Sequence, residues 1–300
     1  VIRTDLFGTS PKDLFLYDLR KGSVNLKYKQ YKESPISYVG GKSRAVGFII
    51  EHIPGDIEYL VSPFTGGSHV EIAVAKEFYI PVQSYDIFEL LVNYWEVQLT
   101  DPHALADYLS QWYPEKELFD TIKERLRKHW DNEELLEDPI TRAAHYFYSH
   151  ILSYGPFFLG WFCKGGDNQH RYKNRIQKIR NFQAPLFSVN LGCFQTTIPK
   201  HNHHFLYCDP PYFLEEGTVH KAMYPHPHFP IYHKDFPHDT LRDLLHEHGH
   251  GFVLSYNDCP TIREWYSDFS INEIRWPYHL GTGATGQVKY STELLIVKKP

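Results

Sequence analysis

Asp209-Pro210-Pro211-Tyr212 closes an apolar run, FLYC, with an acid, two residues that lack an N–H donor and a flat ring. A carboxylate and a backbone carbonyl are both pure acceptors, suited to gripping the two N–H groups of an exocyclic amine on a nucleobase. Such an amine is a poor nucleophile because its lone pair is delocalised into the ring, and two acceptors favour the pyramidal form. The prolines fix the corner and leave the Pro210 carbonyl without a competing donor. Tyr212 is then the ring to stack on the base.

A second chemical stretch is Ser62-Pro63-Phe64-Thr65-Gly66-Gly67-Ser68, at the end of IEYLV. Glycines at a strand-to-helix turn let backbone approach a ligand, and the helix start offers free N–H groups. Asp86 ends the next expected strand about 20 residues later, where an acid can bond a ribose diol. A nucleoside-containing cofactor and an amine substrate are therefore the chemistry implied.

The elements that position these tips alternate. Helix is expected over 43–53, strand over 57–61, and helix over 68–78 with Ser68 as N-cap and Glu71 completing a capping box. Strand 81–86 and helix 88–99 follow, the start of a doubly wound parallel sheet. Residues 101–200 break the rhythm, helical in 103–130 and 139–153, then rich in Gly, Lys and Arg over 155–180. Strand 203–209, helix 239–248, strand 251–258, helix 260–269 and strands 271–276 and 291–299 resume it. The His- and Pro-rich stretch 226–238 reads as a long loop. The division expected is an N-terminal arm (1–33), a cofactor-binding half (34–100), an inserted recognition lobe (101–200) and a catalytic half (201–300).

The chain of 300 residues is 42% hydrophobic and carries a formal charge of −5, enough for a large core and against a globally basic coat. No apolar run suggests a membrane span or secretory signal. The 16% aromatic content suits stacking on bases as well as core filling. Four scattered cysteines without a C-x-x-C pair point to reduced thiols and a cytoplasmic setting. The 19 histidines, clustered as HNHH, HPH and HEHGH, lack metal-site spacing, and no metal is expected.

These motifs together resemble the Dam-type DNA adenine-N6 methyltransferases. SYVGGKS (37–43) looks like that family's N-terminal cofactor motif, SPFTGGSHVE its Pro-Phe-Gly loop, SYDIFELLVNYW its ribose motif and YCDPPY its catalytic motif. VLSYND and REWY (263–266) are also similar. The cofactor loop precedes the catalytic loop, the order of this group and not the permuted one. The resemblance implies an α/β, Rossmann-like sheet of the S-adenosylmethionine-dependent methyltransferase type with a mostly helical inserted recognition lobe. It implies S-adenosylmethionine held by Tyr38, Gly40, Gly41, Lys42, Pro63, Phe64, Gly66, Asp86 and Asp209. Lys42 would face the methionine carboxylate, and Asp209, Pro210, Pro211 and Tyr212 would hold a flipped adenine. The family's Glu at the head of the Pro-Phe loop is Ser62 here.

KGGDNQHRYKNRIQKIR (164–180) offers Lys164, Arg171, Lys173, Arg175, Lys178 and Arg180 as a phosphate-binding face, with Asn168, Gln169 and His170 for base edges. The preceding SYGPFFLGWF reads as core, with a base-gap wedge as the other option. Double-stranded DNA is the partner expected, methylated at adenine N6 in a short site by a monomer, either in a restriction–modification setting with a restriction endonuclease acting separately or in a viral one, in the cytoplasm or on host or viral DNA. N4-cytosine methylation, and a non-catalytic DNA-binding relative with a decayed cofactor site, are the alternatives.

Overall fold

The computed structural model describes residues 10–21, 23, 27–154, 158–163, 165–213, 236–278 and 289–300. The chain packs into two compact units, one formed by 1–30, 44–64 and 193–300, the other by 31–43 and 65–192.

The first unit is a mixed sheet with helices. It contains α1 (Pro11–Arg20), α2 (Val46–His52), β1 (Leu60–Ser62), α9 (Phe194–Lys200), β4 (Phe205–Cys208), α10 (His238–Glu247), β5 (Phe252–Asn257), α11 (Pro260–Trp265), β6 (Ser270–Tyr278) and β7 (Lys289–Lys298). Its strands run β1-β4-β5-β7-β6. The first three are parallel, with Leu60 opposite Phe205 and Cys208 opposite Leu254. β7 enters antiparallel between β5 and β6. The strands β4 and β5 are buried almost throughout, so their sequences are continuous apolar runs, as strands covered on both faces must be.

The expected N-terminal arm contains α1, capped by Ser10 and burying Phe15, Leu16 and Leu19. Tyr28 is fully buried over Gly47, where an added Cβ would stand 2.3 Å from its ring, so only glycine fits. The Tyr28 hydroxyl bonds Glu51, and Arg20 donates to both.

The second unit holds α3 (His69–Glu77), β2 (Val82–Asp86), α4 (Glu89–Thr100), α5 (Pro102–Ser110), α6 (Lys116–Trp130), α7 (Pro139–Leu152), α8 (Gln169–Asn181) and β3 (Phe187–Leu191). β2 and β3 pair in parallel over five residues, from Val82–Phe187 to Asp86–Leu191. The helix α7 is buried on every side from Ala143 to His150, so it lies in the unit's core. No helix among the described residues is long and apolar enough to cross a membrane.

Three local expectations change. Ser68 does not cap α3 with its side chain: it adopts φ 51°, and its hydroxyl donates to the Thr65 carbonyl at 3.0 Å. The basic stretch is a regular helix, α8, with Asn168 as N-cap accepting from the Arg171 N–H at 2.9 Å. Within the expected insertion, 187–191 and 194–200 are a strand and a helix. The His- and Pro-rich loop lies mostly outside the described residues.

Candidate active site

In the second unit the site builds from the tip of β2. Asp86 Oδ1 accepts the Phe88 N–H at 3.0 Å and Oδ2 the Gly66 N–H at 3.3 Å. One carboxylate thus starts α4 and holds the glycine loop. Burial pushes the Asp86 carboxyl above its ordinary value, while the N–H groups of Phe88, Gly66, Thr65 and Ile87 pull it back. Thr65 is fastened to the same strand, its N–H to the Tyr85 carbonyl at 2.9 Å and its hydroxyl to Ser84 at 2.7 Å. Trp95, fully buried on α4, donates its indole N–H to the Gly66 carbonyl at 3.1 Å. Gly66 sits at φ +45°, a conformation costly for any residue with a Cβ.

The segment 37–43 lies on this loop. A Cβ on Gly66 would reach 3.4 Å from the Tyr38 ring, and one on Gly67 would reach 3.0 Å from Tyr38 Cβ. A Cβ on Gly41 would meet the Tyr38 carbonyl at 2.9 Å. Gly40 takes φ +74°, and the buried Lys42 donates its ammonium to the Gly40 carbonyl at 2.8 Å. His69 lies against Gly41 and Gly67, and its imidazole is held down to about 4 by burial first, then by Lys178 and Lys42. From α7, His150 donates Nε2–H to the Ser37 carbonyl at 2.7 Å, and its ring stacks on Tyr38 at 5.6 Å.

In the first unit, β1 and β4 run side by side and end in Pro63-Phe64 and Asp209-Pro210-Pro211-Tyr212. Cys208, the residue before Asp209, is fully buried core. All four cysteines are free thiols. Asp209 is half-buried and Pro210 buried. The Tyr212 hydroxyl donates to Glu293, a buried carboxylate on β7, and its ring lies 6.1 Å from Tyr256. Burial, then the charges of Glu293 and Asp209, hold the Tyr212 hydroxyl well above its ordinary value, so it is a neutral donor. Asn257, last in β5, donates to the Phe213 carbonyl at 2.8 Å. Phe64 joins Phe194 and Phe236 in a ring cluster, with centroids 5.6 and 5.8 Å away. Ser62, fully buried, bonds the Phe64 carbonyl at 3.4 Å.

A profile of the family described as D12 class N6 adenine-specific DNA methyltransferase matches residues 38–280. The chain belongs to that family. The modification methylase StsI of Streptococcus sanguinis is 24% identical over 288 residues, which are 89% of this chain and 43% of that protein. The chain therefore spans less than half the length of that relative. Two solved structures are similar in backbone at low scores. The precorrin 8w decarboxylase of Methanobacterium thermoautotrophicum has TM-score 0.35 and 10% identity, over 86% of this chain and 90% of its own. The delta-N METTL16 MTase domain has TM-score 0.36 and 9% identity, over 96% and 94%. Neither bears on function.

Family membership gives the fold class expected from the sequence, a Rossmann-like methyltransferase sheet with helical insertions, and S-adenosylmethionine as the cofactor. The residues present fit that cofactor. Three glycines are packed where a Cβ would fill the cradle, and a carboxylate held by backbone N–H groups has lone pairs to spare for a diol.

The basic candidates separate. Arg180 pairs with Asp107 at 2.5 Å, and Lys178 donates to the Lys32 carbonyl. Arg171 and Lys173 are exposed, and Arg175 is half-buried with no ion pair among the described residues. Lys164 lies outside the described residues. Asn168 is occupied as a cap, and His170 bonds Asn174 at 3.1 Å. The stretch expected as core is split: Leu159 is buried, whereas Tyr154 and Trp161 are 74% and 79% exposed beside an isolated bridge between Ser153 and Phe162.

Sequence reasoning missed Glu293, Asn257, Trp95 and His150. Glu293 carried one signal, a lone acid inside the apolar run STELLIV. Asn257 and Trp95 lie inside the quoted VLSYND and SYDIFELLVNYW motifs without a role assigned to either, and His150 carried no signal until the fold brought it to the Ser37 carbonyl.

Proposed function

We propose that the protein transfers a methyl group from S-adenosylmethionine to N6 of a flipped adenine in a short double-stranded DNA site. The observation that carries this reading is Asp-Pro-Pro-Tyr directly after β4, in a chain whose residues 38–280 match the adenine-N6 family. When bound, S-adenosylmethionine supplies a methyl on a sulfonium sulfur, electrophilic enough to need no covalent enzyme intermediate.

Asp209 and the Pro210 carbonyl each accept one N–H of the adenine amine, which leaves the nitrogen lone pair free of the ring. Tyr212, its hydroxyl held by Glu293, presents its ring to the base. Asp86 accepts from the ribose hydroxyls of the cofactor, Lys42 faces its carboxylate, and Tyr38, Gly40, Gly41, Pro63, Phe64 and Gly66 line its seat. Arg171 and Lys173 reach phosphates, with Arg175 beside them.

By role the chain divides into an arm (1–33), a cofactor half (34–100), a recognition insertion (101–200) and a catalytic half (201–300). It works as a monomer in the cytoplasm, alongside a separately acting restriction endonuclease. The test is incubation with unmodified genomic DNA and S-adenosylmethionine, followed by single-molecule mapping of modified bases. N6-methyladenine in one short motif is expected, lost in Asp209→Ala. Methylated cytosine, or no methylation by a folded wild type, overturns the reading.

A further inference from the structure

We infer that α7, which the sequence places in the recognition insertion, completes the cofactor site: Tyr146 contacts the adenosine half of the cofactor through its hydroxyl, and His150 positions the 37–43 segment. The inference rests on the proposed S-adenosylmethionine reading.

Tyr146 is 1% exposed, and its hydroxyl has no hydrogen-bond partner among the described residues. A buried hydroxyl without a partner costs folding free energy, and native structures leave few of them. Its ring contacts do not require the oxygen. Phe88, His150 and Phe158 surround it at centroid distances of 5.7, 5.4 and 6.2 Å, and a phenylalanine would pack among them equally well.

What does require the oxygen is its setting. Phe88, against the Tyr146 ring, is the residue whose N–H binds Asp86. His150, against the same ring, stacks on Tyr38. Burial first, then Tyr38, Asp86 and Tyr94, raise the Tyr146 hydroxyl well above its ordinary value, so it stays a neutral donor. The one unpartnered phenol of α7 therefore lies among the residues assigned to the ribose and to the cofactor motif. Beside a carboxylate that can only accept, a hydroxyl can also donate, which suits an acceptor oxygen or nitrogen of an adenosine.

His150 is 2% exposed; it bonds the Ser37 carbonyl through Nε2 and stacks on Tyr38, and its buried Nδ1 has no hydrogen-bond partner among the described residues. Its bond to the Ser37 carbonyl fixes the Nε2–H tautomer and its stack fixes the Tyr38 ring. One turn of α7 thereby supplies both a contact and the clamp that orients the opposing segment, 146 and 150 being four residues apart on one helix face.

The test uses the full chain without DNA, titrated calorimetrically with S-adenosylmethionine and melted without ligand. Tyr146→Phe should weaken binding roughly 3- to 10-fold, the worth of one hydrogen bond. It should leave the ligand-free Tm unchanged or raised. His150→Phe keeps a ring but loses the donor, and should weaken binding about 10-fold, whereas His150→Gln keeps a donor and should recover most of that loss. Wild-type affinity in Tyr146→Phe, or a lowered ligand-free Tm, overturns the contact. Equal losses in the two His150 variants overturn the positioning role. A folded wild type that binds no S-adenosylmethionine sinks the proposed function as well; binding by wild type and Tyr146→Phe alike sinks only this inference.

Discussion

Asp86→Asn should separate cofactor binding from folding. The carboxylate accepts one backbone N–H on each oxygen, Phe88 at 3.0 Å and Gly66 at 3.3 Å. An amide keeps one acceptor, which the shorter bond to Phe88 should claim, and turns an NH2 toward the Gly66 N–H. An orphaned buried donor costs about 1–3 kcal/mol. Against that, the variant no longer buries a charge, and burial is the first cause of the raised Asp86 pKa. The two effects oppose, so the ligand-free Tm should move by only a few degrees. The cofactor has no such compensation. A hydroxyl bonded to a charged acceptor contributes about 1.5–3 kcal/mol, so affinity should fall roughly 10- to 150-fold.

The sign with pH is also fixed. A raised folded-state pKa means that Asp86 contributes stability below its unfolded pKa and loses it as pH rises through the folded value. Binding runs the other way, because the protonated carboxyl is a poorer acceptor. Wild-type affinity should decline on acidification from above the usual carboxylate range, and Asp86→Asn should flatten that decline. Calorimetric titration with S-adenosylhomocysteine from pH 7 to 4.5, with a melt at each pH, reads both. Wild-type affinity in the variant would refute the ribose role of Asp86. A wild-type affinity that does not change with pH would refute the carboxylate argument.

Three further outcomes follow from particular contacts. Tyr212→Phe keeps the ring but removes a donor from buried Glu293, so chemical denaturation should show a loss of about 1.5–3 kcal/mol, unlike Tyr146→Phe. Arg171→Ala with Lys173→Ala should reduce the slope of log affinity for DNA against log salt by about 2, whereas Arg180→Ala, already paired with Asp107, should leave the slope unchanged. His69 and His150 are held down to about 4, so their neutral forms stabilise the fold above 6.5 and that stability is lost as pH falls from 6.5 toward 4. The unfolding free energy from urea titrations should drop across that window by about 1.4 kcal/mol per pH unit for each, and His150→Gln should remove one share of the slope.

The strand tips were legible because each ends in residues that stop pairing for a chemical reason. Ser62-Pro63, Asp86 and Asp209-Pro210 mark β1, β2 and β4 within a residue, and helix 88–99 is found at Glu89–Thr100. β3 was not legible. Its FSVNL is buried only at alternate positions, and its partner β2 lies about 100 residues earlier, beyond the reach of local pattern. The interior of α7 was hidden for the opposite reason. Eight consecutive residues there are buried, and no local signal separates Tyr146 and His150 from the six beside them. Glu293 meets Tyr212 through the antiparallel register that sets it opposite Asn257, and a register is a property of two strands, not of one. Arg180 and Lys178 looked as available as Arg171 until Asp107 and the Lys32 carbonyl were placed beside them.

The two loops are held by one device. Each needs rigidity and neither can supply it from its own backbone. Pro210 and Pro211 have no N–H to close a turn, and Gly66 at φ +45° has no side chain to lock. In both cases a side chain from an element further along the chain holds a loop carbonyl: Asn257 of β5 at Phe213, 2.8 Å, and Trp95 of α4 at Gly66, 3.1 Å. A second side-chain bond holds each loop from another direction, Tyr212 to Glu293 in one and Asp86 to the Gly66 N–H in the other. Four of these anchors are buried or half-buried, where a hydrogen bond is stronger and its loss costs more than at the surface. Acceptors that must meet a developing charge gain most when they do not reorganise during the reaction. The side chains of Asn257, Trp95, Tyr212 and Asp86 therefore go to two turns that would otherwise be free to move.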